Sequence, residues 1–133
     1  MSLISLVKTS DSEKKSEVLY RTFHERNSSY LERENEIDKF KIIWNIDDAS
    51  PSYFMKSNDI VMLMQDIELL TQEAYNNNDN EVLNHLKEII VLCKLCLWNE
   101  GVFYLEFSPW GVTLDSYPKS IPEKYRFNIS DLS

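Results

Sequence analysis

Two cysteines in a CxxC spacing, Cys93 and Cys96, are the residues whose types and spacing most directly suggest chemistry. Redox thiols of this kind usually lie at a helix N-terminus, where the positive end of the helix dipole stabilises a thiolate. Here both cysteines fall late in an apolar run. Zinc would need two further ligands, and His24 and His85 stand at no recognised finger spacing. We therefore expect buried structural cysteines, no metal site and no cofactor.

The two histidines and the adjacent pair Asp47 and Asp48 are the candidates for acid–base chemistry. Carboxylates four residues before and three residues after His85 are typical of an exposed helical histidine whose protonated form is favoured. His24 has no identifiable nucleophile to serve. Neighbouring residues on a strand point to opposite faces, which separates Asp47 from Asp48. The sequence predicts no catalytic residue and no enzyme, and a small hydrolase using Asp47, Asp48 or His85 is the remaining catalytic alternative.

The composition is that of one acidic domain, which we place at residues 1–133. Of 133 residues, 22 are acidic and 14 are basic, which gives a net charge of −8, and 43% are hydrophobic. A chain of this length can bury a core without metal or disulfide staples. With only Gly101 and Gly111, it has no glycine-rich phosphate loop. Direct binding to nucleic acid is disfavoured, because contacts with phosphate dominate such affinity and a protein with a net charge of −8 is repelled by phosphate.

Nothing in the sequence predicts targeting or membrane insertion. The charges at the N-terminus follow a short apolar stretch, which is the reverse of the order in a secretory signal. The most apolar window, residues 89–98, is ten residues long and contains Lys94, whereas a spanning helix needs about 20 residues. We expect a cytoplasmic protein with no membrane partner.

The clearest predicted structure is a helical hairpin. The first helix has an apolar stripe with helical spacing: Ile60, Leu63, Met64, Ile67, Leu70 and Ala74. Ser57 or Asn58 could cap it, and residues 76–79 break the pattern. Asn78 with Glu81 is the expected capping pair of a second, more apolar helix, which Gly101 ends.

The segments around the hairpin predict a sheet. Residues 40–47 alternate as a strand, and residues 102–107 and 112–115 flank a proline turn as an antiparallel hairpin. For residues 13–26 we favour a helix over a strand, because Leu19, Tyr20 and Phe23 would share one side. The predicted fold class is α+β, with a helical hairpin packed on a small, mainly antiparallel β-sheet.

The excess negative charge belongs to the hairpin. Residues 57–101 carry eight acids and two bases. Asp59, Asp66 and Glu73 are seven residues apart, so they fall on nearly one line of the first helix, with Met62 and Leu69 beside it. We predict that these five residues form a partner-binding patch in which carboxylates steer a cationic partner and apolar atoms supply buried area.

Two alternatives to this patch stay open. The helix could be covered by its own fold, or the charges could only keep the protein in solution. A second acidic cluster is interpreted as a solvated connecting segment, because basic residues are interleaved with it: Glu32, Glu34, Glu36 and Asp38.

The chain is predicted to have a helical hairpin followed by an aromatic strand, and this arrangement resembles that of a known protein family. The resemblance rests on the segments DIVMLMQDIELL, EVLNHLKEIIVLCKLCLW and VFYLEFSPWG, within residues 57–111. In size, layout and acidity the chain resembles the small immunity proteins of bacterial contact-dependent growth inhibition and related polymorphic toxin systems. The resemblance implies an intracellular inhibitor that binds the C-terminal domain of a cognate toxin, commonly a nuclease, and blocks its active site or substrate groove. The alternative is a non-enzymatic structural or adaptor protein that assembles, for example as a homodimer, through Trp110, Phe107 and neighbouring apolar surface.

Overall fold

The computed structural model describes residues 3–9, 17–46 and 51–108. The elements are, in chain order, strands β1 (Leu3–Lys8) and β2 (Glu17–Thr22), a single-turn helix α1 (Ser28–Leu31), a 3₁₀ turn (Ile43–Asn45), strand β3 (Ser52–Phe54), helices α2 (Ser57–Asn76) and α3 (Asn80–Trp98), and strand β4 (Phe103–Ser108). The four strands form an antiparallel sheet in the order β2-β1-β4-β3. The α+β class is therefore confirmed.

The core lies between the sheet and the helical hairpin. One face of the sheet and the inner stripes of α2 and α3 contribute fully buried side chains, among them Ile4, Leu6, Leu105, Leu63, Ile67, Leu86 and Ile89. The α2 members of this set, Leu63 and Ile67, lie on the helical stripe that the sequence predicts. Among the described residues, neither long helix is apolar enough over its length to cross a membrane.

The helix ends differ from the predicted caps. Lys56 precedes α2 and its side chain makes no capping hydrogen bond, so neither Ser57 nor Asn58 is the cap. Asp79 caps α3 by accepting a hydrogen bond from the backbone N–H of Val82. Asn78 instead adopts a left-handed φ of 57°, which turns the chain between the two helices. Gly101 has a φ of +80° just beyond α3, as a helix stop requires.

The helix predicted at residues 13–26 is wrong. Residues 17–22 form strand β2, and residues 13–16 lie outside the described part of the chain. The reason is a distant partner: β2 pairs with β1 along its length, with an irregularity between Leu6 and Val7. Such pairing overrides a weak local helical preference.

The strand predicted at residues 40–47 is also wrong over its described part. Phe40, Ile43 and Ile46 are buried at intervals of three, and the chain forms turns and a 3₁₀ segment there. Asp47 and Asp48 lie outside the described residues, and so does the second strand of the hairpin predicted at 112–115. Residues 105–107 of β4 pair with β1 on one side and with β3 on the other.

Candidate partner-binding site

Asp66, the middle carboxylate of the predicted patch, is buried and 1% exposed. Its Oδ1 accepts a hydrogen bond from the backbone N–H of Lys41 at 2.9 Å, and its Oδ2 accepts from those of Ile42 and Ile43 at 2.8 and 3.0 Å. The 3₁₀ turn leaves these amides without backbone acceptors, and a buried carboxylate satisfies them. Asp66 therefore cannot contact a partner, and the prediction for this residue is wrong.

Glu73 is neutralised within the chain. Arg33 Nη2 donates to its Oε1 at 3.2 Å, and Lys39 Nζ lies 3.6 Å from its Oε2. Arg33 also donates to Glu36 at 2.8 Å, and its guanidinium lies 5.5 Å from the centre of the Phe40 ring. Burial lowers the pKa of Arg33, but its bonds to the two glutamates outweigh this and the net pKa is raised. The expected row of unpaired carboxylates does not form.

The other three predicted residues remain accessible to different degrees. Leu69 is 45% exposed, and Asp59 and Met62 are half-buried. Asp59 makes no ion pair within the described ranges. Leu69 lies on the flank of α2 between the positions that residues 32–41 contact, namely Asp66 and Glu73. The flank of α2 that carries Leu69 is thus contacted by residues 32–41, a segment that the sequence analysis did not include in the site.

Residues 32–41, which we call the acidic arm, run along the flank of α2. Backbone hydrogen bonds from Lys39 and Phe40 to the carbonyl of Glu36 fold the arm into a turn. The buried Phe40 ring and the paired Arg33 face inward, while Ile37 is 58% exposed. The N-terminal half of the arm lines an open depression of about 360 Å³. The arm is thus anchored to the helix and is more than a solvated connection.

The arm and α2 together carry a net charge of −5. Each has four acids, and only the arm has bases, three of them. Arg33 pairs with Glu36 and Glu73, and Lys39 pairs with Glu73, so neither base neutralises Glu34 or Asp38. Glu34 and Asp38 are exposed and, in the part of the chain that the structure describes, form no ion pair. In the sequence, this surface is visible as an acidic cluster around the apolar residue Ile37. The basic residues interleaved with the cluster made it look neutralised, so it was not predicted as part of the site.

His85 is buried and 5% exposed, contrary to the expectation of a surface histidine. Asn27 Nδ2 lies 3.3 Å from its Nε2, and Thr22 Oγ1 lies 3.4 Å from its Nδ1. An amide that donates to Nε2 assigns the proton to Nδ1. Burial, with a smaller effect of His24, lowers the pKa of His85 to about 4. The burial could have been read from the sequence, because position 85 shares the helical stripe of the core residues of α3.

The group around His85 contains a hydroxyl, an imidazole and a carboxylate, but not in a catalytic order. Thr22 Oγ1 donates to Glu88 Oε2 at 2.7 Å, so its proton points to the carboxylate and not to the imidazole. A general base must accept the proton of the nucleophile. The geometry makes this cluster a satisfied buried polar network that joins β2 to α3.

Cys93 and Cys96 are free and buried, as expected. Burial raises the pKa of Cys96 to about 12, and burial together with Cys96 raises that of Cys93 further. Both side chains are therefore protonated thiols and poor ligands. Across residues 3–9, 17–46 and 51–108, no cluster of three or more histidine, cysteine or acidic side chains could hold a metal ion.

No protein-family model matches the sequence, and comparisons with curated proteins and with solved structures likewise find no similar chain. The function of the surface formed by the arm and α2 must therefore follow from its own geometry and charge.

Proposed function

We propose that this chain is a cytoplasmic immunity protein that binds a cognate toxin domain with a basic surface and neutralises it. The observation that carries the proposal is the net charge of −5 on the acidic arm and α2. On this surface, carboxylates without an ion pair among the described residues lie next to exposed apolar side chains. The proposed site consists of Glu34, Ile37 and Asp38 on the arm, with Asp59, Met62 and Leu69 on α2. Asp66 and Glu73 support this surface from inside.

Charge supports a basic partner. A nuclease groove is positive because it holds phosphate, so a nuclease domain is the toxin class that fits best. Carboxylates that are free of internal pairs attract such a groove over a distance and raise the association rate. Glu34 and Asp38 meet this condition on the arm, and Asp59 meets it on α2, each among the residues that the structure describes.

Exposed apolar groups supply the short-range part of the interaction. Ile37 is 58% exposed and Leu69 is 45% exposed. Covering the remaining half of each side chain contributes about 1 kcal/mol at the usual free energy of burying apolar area. Anchors of this kind at the centre of a charged surface are typical of interfaces in which electrostatics sets the encounter rate and burial sets the dissociation rate.

Co-expression tests the proposal. The proposal predicts that a neighbouring gene encodes the toxin domain, and cells that express this domain should grow when the chain is co-expressed. Leu69→Arg should lose this protection, because it places a cation on the proposed site. Val102→Arg is the matched control, since Val102 is 39% exposed and lies just before β4, where its carbonyl accepts a hydrogen bond from the backbone N–H of Thr9.

Two results would contradict the proposal. The first is that the wild-type chain neither protects the cells nor co-purifies with the domain. The second is that Leu69→Arg protects as well as Val102→Arg does, which would remove this surface from the site.

A further inference from the structure

The face of the helical hairpin that points away from the sheet is largely left open by the residues that the structure describes, and the acidic arm touches it where Lys41 Nζ donates to Gln65 Oε1. On α3, Lys87, Val91, Lys94 and Trp98 follow one another at intervals of four, three and four residues, and on α2, Val61 and Glu68 are seven apart. Such intervals place each set on one stripe of its helix, as in the seam between packed helices. Trp98 is 76% exposed and Val61 is 36% exposed. The stripes therefore have the spacing of a helix-packing seam, but they face solvent.

Opposite charges stand unpaired on this face. Lys87 and Lys94 are the only basic residues between positions 57 and 101, and both lie on the outer stripe of α3. Glu68 is the exposed carboxylate on the outer stripe of α2. None of the three forms an ion pair with any described residue. The charge pattern is therefore complementary between the two helices but unsatisfied among the described residues of one chain.

The antiparallel hairpin fixes which residues lie at the same height. Ser57 Oγ donates to the carboxylate of Glu100 at one end, and the turn before Asn80 closes the other. Equal rise along both helices then places Glu68 level with about residue 89 of α3, between Lys87 and Lys94. By the same count, Val61 is nearly level with Trp98.

We propose that this outer face binds a second copy of the chain, as a two-fold symmetric dimer of helical hairpins. A two-fold axis parallel to the helices, midway between α2 and α3, places α2 of one copy over α3 of the other without changing the height of any residue. Each Glu68 then lies between Lys87 and Lys94 of the second copy, and each Trp98 covers Val61. Both unpaired charge sets obtain partners in this arrangement, and so does Trp98, the most exposed aromatic side chain among the described residues.

The available area agrees with a dimer. Helices of 20 and 19 residues are about 30 Å long and pack about 10 Å apart, so the hairpin presents a face of roughly 600 Å². Two copies would bury about 1,200 Å² in total, which is at the lower limit of stable interfaces. Within the described residues, the acidic arm contacts this face at Gln65, whose Oε1 accepts a hydrogen bond from Lys41 Nζ. None of the residues that carry the dimer belongs to the proposed toxin-binding site, so the dimer does not depend on the proposed toxin binding.

Charge exchange tests the dimer by sedimentation equilibrium of the full chain over a range of concentrations. The wild type should approach twice the mass of one chain as its concentration rises. Glu68→Lys should raise the dissociation constant of the dimer by at least about tenfold, because the new lysine lies between Lys87 and Lys94 of the second copy and is repelled by both. Lys87→Glu/Lys94→Glu should weaken it as well, and an equimolar mixture of the two variants should dimerise again.

The controls keep folding separate from association. All three charged residues are exposed, so circular dichroism spectra should be unchanged. Glu25→Lys makes the same charge change on the loop after β2 and should leave the dimer intact. A wild type that stays monomeric at every concentration would overturn the proposal, and so would a mixture of the two variants that fails to associate.

Discussion

The substitution Asp66→Asn tests how the acidic arm is held on α2. The carboxylate accepts three backbone N–H groups, from Lys41 at Oδ1 and from Ile42 and Ile43 at Oδ2. An asparagine oxygen can take the place of Oδ2, but its amide group then faces the N–H of Lys41. The buried N–H of Lys41 then has no acceptor, and the N–H groups of Ile42 and Ile43 bond to a neutral oxygen in place of a charged one.

The magnitude follows from these three bonds. A buried donor without an acceptor costs about 1–3 kcal/mol, and replacing a charged acceptor by a neutral one costs about 1 kcal/mol for each remaining bond. We expect Asp66→Asn to lower the free energy of unfolding by about 3–5 kcal/mol. Domains of this size have about 5–15 kcal/mol in total, so the variant should still fold.

Urea unfolding followed by circular dichroism measures this loss. Asp59→Asn is the matched control, because Asp59 lies in the first turn of the same helix and makes no hydrogen bond or ion pair among the described residues. It should cost about 0.5 kcal/mol through the helix dipole. In Asp66→Asn, hydrogen exchange should accelerate first at the amides of residues 41–43. A loss below about 1 kcal/mol would refute the role assigned to Asp66.

Three further perturbations follow from the buried groups. Because the pKa of His85 is lowered to about 4, the unfolded chain binds its proton first, so the free energy of unfolding should fall by about 3 kcal/mol as the pH drops from about 6.5 to 4; urea unfolding should show no such fall above pH 5 in His85→Gln. Arg33→Ala should cost about 2 kcal/mol in the same assay, because it leaves Glu73 half-buried without its main partner, and Arg33→Lys should recover less than half because lysine cannot form both bonds. Cys93 and Cys96 should not react with a thiol reagent until denaturant is added, since burial keeps both protonated; rapid reaction of the native protein would contradict their position in the core.

The helical hairpin could be predicted from the sequence because its signal is local. The apolar stripes of α2 and α3 repeat with the helical period, and these stripes are the ones buried. Strand β2 could not be predicted in the same way. Its alternating residues are compatible with a helix as well, and the partner that decides between them, β1, is paired through contacts distant in sequence.

The prediction of the binding patch failed for a related reason. A helical wheel shows where Asp66 and Glu73 lie relative to the apolar stripe, but it does not show what covers that flank. The cover comes from residues 33–43, more than 20 positions earlier in the chain. The same contact occupies Arg33 and Lys39, which leaves Asp38 unpaired among the described residues and makes the arm more acidic than its sequence indicates.

The association rate of the chain with its toxin domain tests the central claim most directly. In stopped-flow measurements at low salt, Asp38→Lys on the acidic arm should slow association by about tenfold, and added salt should reduce the difference. Glu25→Lys makes the same charge change on the loop after β2 and should have little effect. Equal rates for the two variants would contradict the claim that the arm and the flank of α2 recognise a basic partner.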